Sequence, residues 1–171
     1  TDLAHEGGGR RLLVSGAAPL AALVAVTAVV FALTTSASGS GVEKPKLEAA
    51  MAEDFAQLYV LQTDQLNRPA VTVEQLNPHA RCTKGSKRVP DTGPGNDWRC
   101  IVGWSLPDAG DARGRAIYQV DVTPDGRFIA DGDGPKEVNG YFQVRTPTGD
   151  APNPLWQLDG TVDLLSASPK E

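Results

Sequence analysis

The hydrophobic rhythm of this chain changes twice along its length, and each change marks a boundary. From Leu12 to Leu33 (residues 12–33) no charged residue interrupts LLVSGAAPLAALVAVTAVVFAL. As a helix rising about 1.5 Å per residue the stretch reaches roughly 33 Å, enough to cross a hydrocarbon core about 30 Å thick. It is predicted to be a transmembrane helix with the lipid bilayer as its partner. The small residues of TTSASGSGV then show no apolar period, which predicts a flexible linker over 34–44. From Pro45 the apolar residues Leu47, Met51, Phe55, Leu58 and Leu61 return at three- and four-residue spacing. That is one face of an amphipathic helix ending near Gln65, ahead of Arg68 and Pro69.

Beyond the helix the period falls to two. Alternating runs separated by Pro, Gly and Asp predict strands at 71–76, 80–86, 98–106, 115–123, 127–131, 140–146 and 155–164. Trp98, Cys100, Val102, Trp104 and Leu106 share one face of their run. In the next, Ala116, Tyr118, Val120 and Val122 alternate with Gln119 and Asp121. Thr123-Pro124-Asp125-Gly126 has the chemistry of a tight turn between two strands. A single helix followed by antiparallel strands can bury its apolar stripe only against one sheet face. The fold class is therefore α+β: a transmembrane helix, then an amphipathic helix on a curved antiparallel sheet, cystatin-like or NTF2-like. Met51, Phe55, Leu58, Trp104, Tyr118, Val120 and Trp156 are the expected core.

Charge adds orientation and compartment. Arg10 and Arg11 abut the apolar run on one side, whereas Lys44 and Lys46 follow a spacer on the other. The bias puts a cytoplasmic tail at 1–11 and the domain at 45–165 outside the membrane, with a frayed tail at 166–171. Thr35-Ser36-Ala37 leaves cleavage of a secretory signal as the alternative to an uncleaved anchor. The domain is rich in turn formers, with 18 Gly and 13 Pro in the chain, and 16 basic against 21 acidic groups give a formal charge of -5. That balance argues against nucleic acid as a partner.

Two cysteines occur, Cys82 and Cys100, with DTGPG near Asp91 midway between them. Strands folded about that midpoint would set Cys82 opposite Cys100, and outside the cell a disulfide is the simplest use of such a pair. A metal site or a redox pair is the competing reading, although no C-x-x-C occurs.

Candidate sites are few. Hydrolytic chemistry needs a base, and outside the N-terminal tail there is only His79, expected in a turn after Pro78. The run ADGDGPKE, with Asp131, Asp133 and Glu137, could offer oxygens to calcium, but lacks EF-hand spacing, and Asp-Gly is also common turn chemistry. Asp121 and Asp125 complete the set of acids that could converge. Arg81, Lys84, Lys87, Arg88 and Arg99 crowd the cysteine hairpin and could meet an anionic surface, or simply be a solvated hairpin end. Asp54, on the apolar arc of the helix, and Tyr59 could stand at the mouth of a pocket between helix and sheet. Asp54 could equally reach solvent at the sheet edge.

The segments FAQLYVLQTDQL, VTVEQLNPHARC, VPDTGPGNDWRCIVGW and PNPLWQLDGTVDLL resemble a family of small signal-anchored extracytoplasmic proteins from GC-rich bacteria. The resemblance carries structural motifs and no functional residue. Some relatives bear a second cysteine pair at positions matching Arg127 and Thr161, which this chain lacks, and the resemblance implies that these two are cross-strand neighbours. The expectation is an anchored accessory or binding module, with another membrane or envelope protein as partner, no cofactor and no catalysis. A small-ligand pocket of NTF2-like type and a wall-directed enzyme with paired carboxylates are the alternatives.

Overall fold

The computed structural model describes residues 41–85, 88–106 and 112–166. The predicted membrane span, the cytoplasmic tail and Lys87 lie outside these. Among the described residues no helix is long and apolar enough to cross a membrane.

One long helix, α1 (Lys44–Gln65), opens the fold, and a one-turn helix, α2 (Val73–Leu76), follows it. The strands are β1 (His79–Thr83), β2 (Gly95–Ser105), β3 (Arg113–Val122), β4 (Arg127–Gly132), β5 (Gln143–Thr146), β6 (Gly149–Pro152) and β7 (Gln157–Thr161). Five form an antiparallel sheet in the order β1-β2-β3-β4-β7, and β5 and β6 make a separate hairpin. The protein is α+β.

Proline in the first turn starts α1, as its fixed φ and missing N–H allow. The helix buries Leu47, Met51, Ala52, Phe55 and Ala56 against the inner sheet face, made of Cys82, Trp98, Cys100, Val102, Trp104, Ala116, Tyr118, Val120, Val122, Phe128, Ala130 and Leu158. Phe55 is the hub. Its ring lies 4.7 Å from Trp104 and 6.4 Å, edge-on, from Tyr118. The chain ahead of α1 also belongs to the fold, because Val42 is buried and Glu43 forms an isolated β-bridge with Thr92. Gly93 N–H donates to Val42 O at 2.7 Å, and Lys44 pairs with Asp91 at 3.4 Å. The expected linker of 34–44 is thus shorter at its C-terminal end.

Three other sequence expectations change. Leu61 is 47 % exposed, whereas Gln62 and Thr63 are buried. Seven residues after Phe55, Gln62 returns to the stripe at 100° per residue, and its amide finds polar partners there. The predicted strand at 71–76 is α2, because Thr72 and Gln75 cap each other reciprocally and outweigh the β-branched alternation. Leu155, fully buried, takes the core position expected of the half-buried Trp156, and Leu58 is also only partly buried. Met51, Phe55, Trp104, Tyr118 and Val120 are buried as expected.

Candidate functional site

The β1–β2 hairpin folds about its predicted midpoint. Cys82 is the register partner of Cys100, and a disulfide joins them with Cα atoms 4.1 Å apart. So close an approach belongs to a non-hydrogen-bonded antiparallel pair, whose N–H groups point away from the partner strand. Glu48, reaching from α1, accepts the outward Cys82 N–H at 2.8 Å and so occupies part of the sheet's free edge.

The basic residues of this hairpin do not form one patch. Lys84 is folded into the hairpin: its Nζ donates to Pro94 O at 2.8 Å, pairs with Asp97 at 3.4 Å and lies 5.3 Å from the Trp98 ring centroid. Its backbone N–H donates to Asp91 at 2.8 Å, and this bond, ahead of the nearby lysines, holds the Asp91 carboxyl below its ordinary range. Arg99 pairs with Asp133 across the outer sheet face. Arg88 is exposed on the hairpin loop. Arg81 points outward from β1, away from the loop, and joins residues of another strand.

That other group lies on the outer face of the sheet, opposite α1, where two depressions of opposite charge open. The smaller, about 270 Å³, is lined by His79, Arg81, Ile101, Gly103, Arg113, Gly114 and Arg115. In register, His79 faces Gly103 and Gly103 faces Arg115, so β1 and β3 flank a position on β2 that has no side chain. The His79 ring lies directly over it: a Cβ on Gly103 would meet the ring at 2.6 Å. Arg113 and Arg115, two apart on a strand, share one face. Among the described residues Arg81, Arg113 and Arg115 have no carboxylate within ion-pair distance, in contrast to the paired Arg99, Arg127 and Arg145.

The larger depression, about 470 Å³, is lined by Asp121, Thr123, Arg127, Phe128, Ile129, Asp159, Gly160 and Thr161. Asp121 and Asp159 flank Ile129 in register, and Ile129 is 48 % exposed. Arg127 and Thr161 are register partners, as the family resemblance implies. Arg127 also pairs with Asp125 at 2.9 Å. The Asp125 carboxyl is held below its ordinary range by the Thr123 hydroxyl first and Arg127 second.

Asp54 and Tyr59 stand apart from both. The Asp54 carboxylate rests on β7, where a Cβ on Gly160 would come within 2.0 Å of it. Partial burial, and secondarily the neighbouring Glu53 charge, raises its pKa. The Tyr59 ring packs 5.2 Å from Trp104 and 5.8 Å from Phe55. Neither residue lines the depressions described above.

Of the remaining candidates, Asp131 accepts from Gln157 at 2.9 Å and Asp133 from Arg99. Among the described residues no three His, Cys, Asp or Glu side chains gather as a metal set would require. His79 is the first residue of β1 rather than a turn residue. Sequence reasoning passed over Arg113, Arg115 and Gly103. The R-G-R alternation signals one shared face only once β3 is known to begin at Arg113. No protein-family model, curated protein or solved structure matches the chain.

Proposed function

We propose that this protein is a membrane-anchored, extracytoplasmic binding module without catalytic activity, and that it meets its partner, a membrane or envelope protein, through the outer face of the five-stranded sheet. The observation that carries this is the asymmetry of the sheet. One face is filled by α1, while the other leaves Ile129 half-exposed between Asp121 and Asp159 and, in a separate hollow toward the other end of β3, gathers Arg81, Arg113 and Arg115, which have no carboxylate partner among the described residues. Separated charges around an apolar centre suit specific docking, because they steer and orient a partner more than they add affinity. The apolar run at 12–33 and the disulfide support the anchored, oxidising setting. A single helix preceding and crossing an antiparallel meander favours a cystatin-like arrangement over an NTF2-like cone.

A photo-crosslinker at Ile129 in native membranes tests the docking face, with one at exposed Ala49 on α1 as control. Capture of one stoichiometric envelope partner from Ile129 alone supports the reading; equal capture from Ala49, or none from Ile129, overturns it. Protease added to intact cells tests the compartment. A domain that survives until lysis rules out the extracytoplasmic placement.

A further inference from the structure

We infer that the depression framed by Arg81, Arg113, Arg115 and His79 is a binding site for a phosphate ester. Three observations converge on it. First, three arginines line one hollow from two strands, β1 and β3, whose backbones stand about 10 Å apart across β2. Side chains of arginine length close such a gap over a small tetrahedral anion, and their forked donors match its oxygens. Secondly, among the described residues these arginines lack the carboxylate partners that hold Arg99, Arg127 and Arg145. Like charges gathered without counter-charges repel one another, and an anion between them removes that repulsion. Thirdly, the hollow has a built floor. Gly103 has no side chain, the His79 ring takes the space a Cβ there would fill, and Ile101, half-buried, walls one side. An alanine at Gly103 would drive the ring out of place.

The site belongs to the face that the preceding section assigns to docking, and in that respect it rests on that reading, but the two fail separately. A phosphate-bearing ligand would enter at the basic end, while the protein partner would be captured from Ile129 at the acidic end. The phosphate ester has two sources with one chemistry, the headgroup of an anionic phospholipid or a soluble phosphorylated molecule.

The test uses the full chain, isotopically labelled, in discs of zwitterionic lipid. Glycerol 3-phosphate is titrated at constant ionic strength against chloride, and the arginine Nε–H signals and the Ile101 and Gly103 amides are followed. Saturable shifts confined to this group with the ester, and absent with chloride, are expected. The Arg113→Gln/Arg115→Gln double variant should bind at least tenfold more weakly, while Arg99→Gln binds as the parent does. Arg81→Gln alone, expected to weaken binding severalfold, serves if the double variant loses the dispersed core signals of Trp104 and Tyr118. Discs containing phosphatidylglycerol assign the source: the same shifts from these discs without added ester point to a headgroup, and shifts only with soluble ester point to a free ligand. Equal shifts with chloride, shifts that survive in the arginine variants, or no shift from either source overturn the proposal.

Discussion

The two edges of the main sheet are secured by different chemistry. At the β1 edge the hairpin is held by a covalent bridge and ionic contacts, and the helix adds one carboxylate acceptor. The Cys82–Cys100 bridge staples the hairpin, Glu48 holds the strand's outward N–H, and Lys84 is enclosed by Trp98, Asp97 and Pro94. At the β7 edge, beside Asp54 resting on β7 and Lys46 Nζ donating to Leu164 O at 3.3 Å, the buried attachment is a neutral hydrogen-bond clamp. Gln62 of α1 donates to Asn153 Oδ1 at 2.7 Å, and Asn153 donates to Val138 O and Tyr141 O at 2.9 and 2.8 Å and accepts from Leu155 N–H at 3.0 Å. Asn139 donates to Ile117 O at 2.8 Å, and Tyr118 Oη donates to Leu155 O at 3.0 Å. Tyr118 is buried, which pushes its hydroxyl pKa up and keeps it a neutral donor. A bridge limits how far a hairpin can open even after its contacts fail. A clamp of buried amides works only while every member is in place, so the β7 edge should give way more abruptly.

The sharpest way to break this contrast is at Asn153. Asn153→Ala removes the buried acceptor of one Gln62 amide hydrogen and of the Leu155 N–H and the donor to Tyr141 O, leaving Gln62 Nε2 only Val138 O at 3.3 Å, and should lower stability by about 3–4 kcal/mol, read from the denaturant midpoint. Hydrogen exchange should accelerate first in residues 138–158; uniform acceleration across all strands would deny the clamp its local role. Replacing both cysteines, Cys82→Ser with Cys100→Ser, should cost about 3 kcal/mol, since the bridge closes a loop between residues 18 apart. In this case the β1–β2 amides lose protection, and an equal loss with reductant on the parent protein identifies the bridge as the cause. Glu48→Ala, which frees the edge N–H of Cys82, should cost about 1–2 kcal/mol and increase self-association measured by light scattering.

The smallest effect belongs to Asp54 and has the opposite sign. Its folded-state pKa is raised, so its ionised form is disfavoured against β7, and stability is lost as pH climbs from the ordinary carboxylate value through the raised one. Asp54→Asn should be neutral near pH 3 and stabilising at pH 7, by under about 1 kcal/mol because the group is half-exposed. A gain at pH 3 as large as that at pH 7 would show that charge is not the cause.

The β1 edge was far more legible in the sequence than the β7 edge, and the reason is locality. Alternation in β2 and β3, the turn at Thr123-Pro124-Asp125-Gly126 and the midpoint between the cysteines are all written within a few residues of the contacts they make. The turn closes as read, with Gly126 N–H donating to Thr123 O at 3.0 Å. By contrast, the value of Gln62 and Asn153 depends on a meeting between residues 91 apart, and nothing near either residue announces it. Strand β6 escaped because Gly149 and Pro152 read as loop, a composition that an isolated hairpin tolerates. Of the site, the basic character of the hairpin was visible, but its distribution was not: Lys84 turned inward, and Arg81 joined arginines from a strand that is separate in sequence and adjacent only in space.

The bridge between Glu43 and Thr92, with Gly93 bonded to Val42 and Lys44 paired to Asp91, fixes how tension enters the molecule. A pull on the chain ahead of Val42 is met by a short two-stranded splice before it reaches the first turn of α1. From there it passes into a hairpin whose two arms are covalently cross-linked. The helix and the outer face are thereby shielded from strain arriving along the backbone.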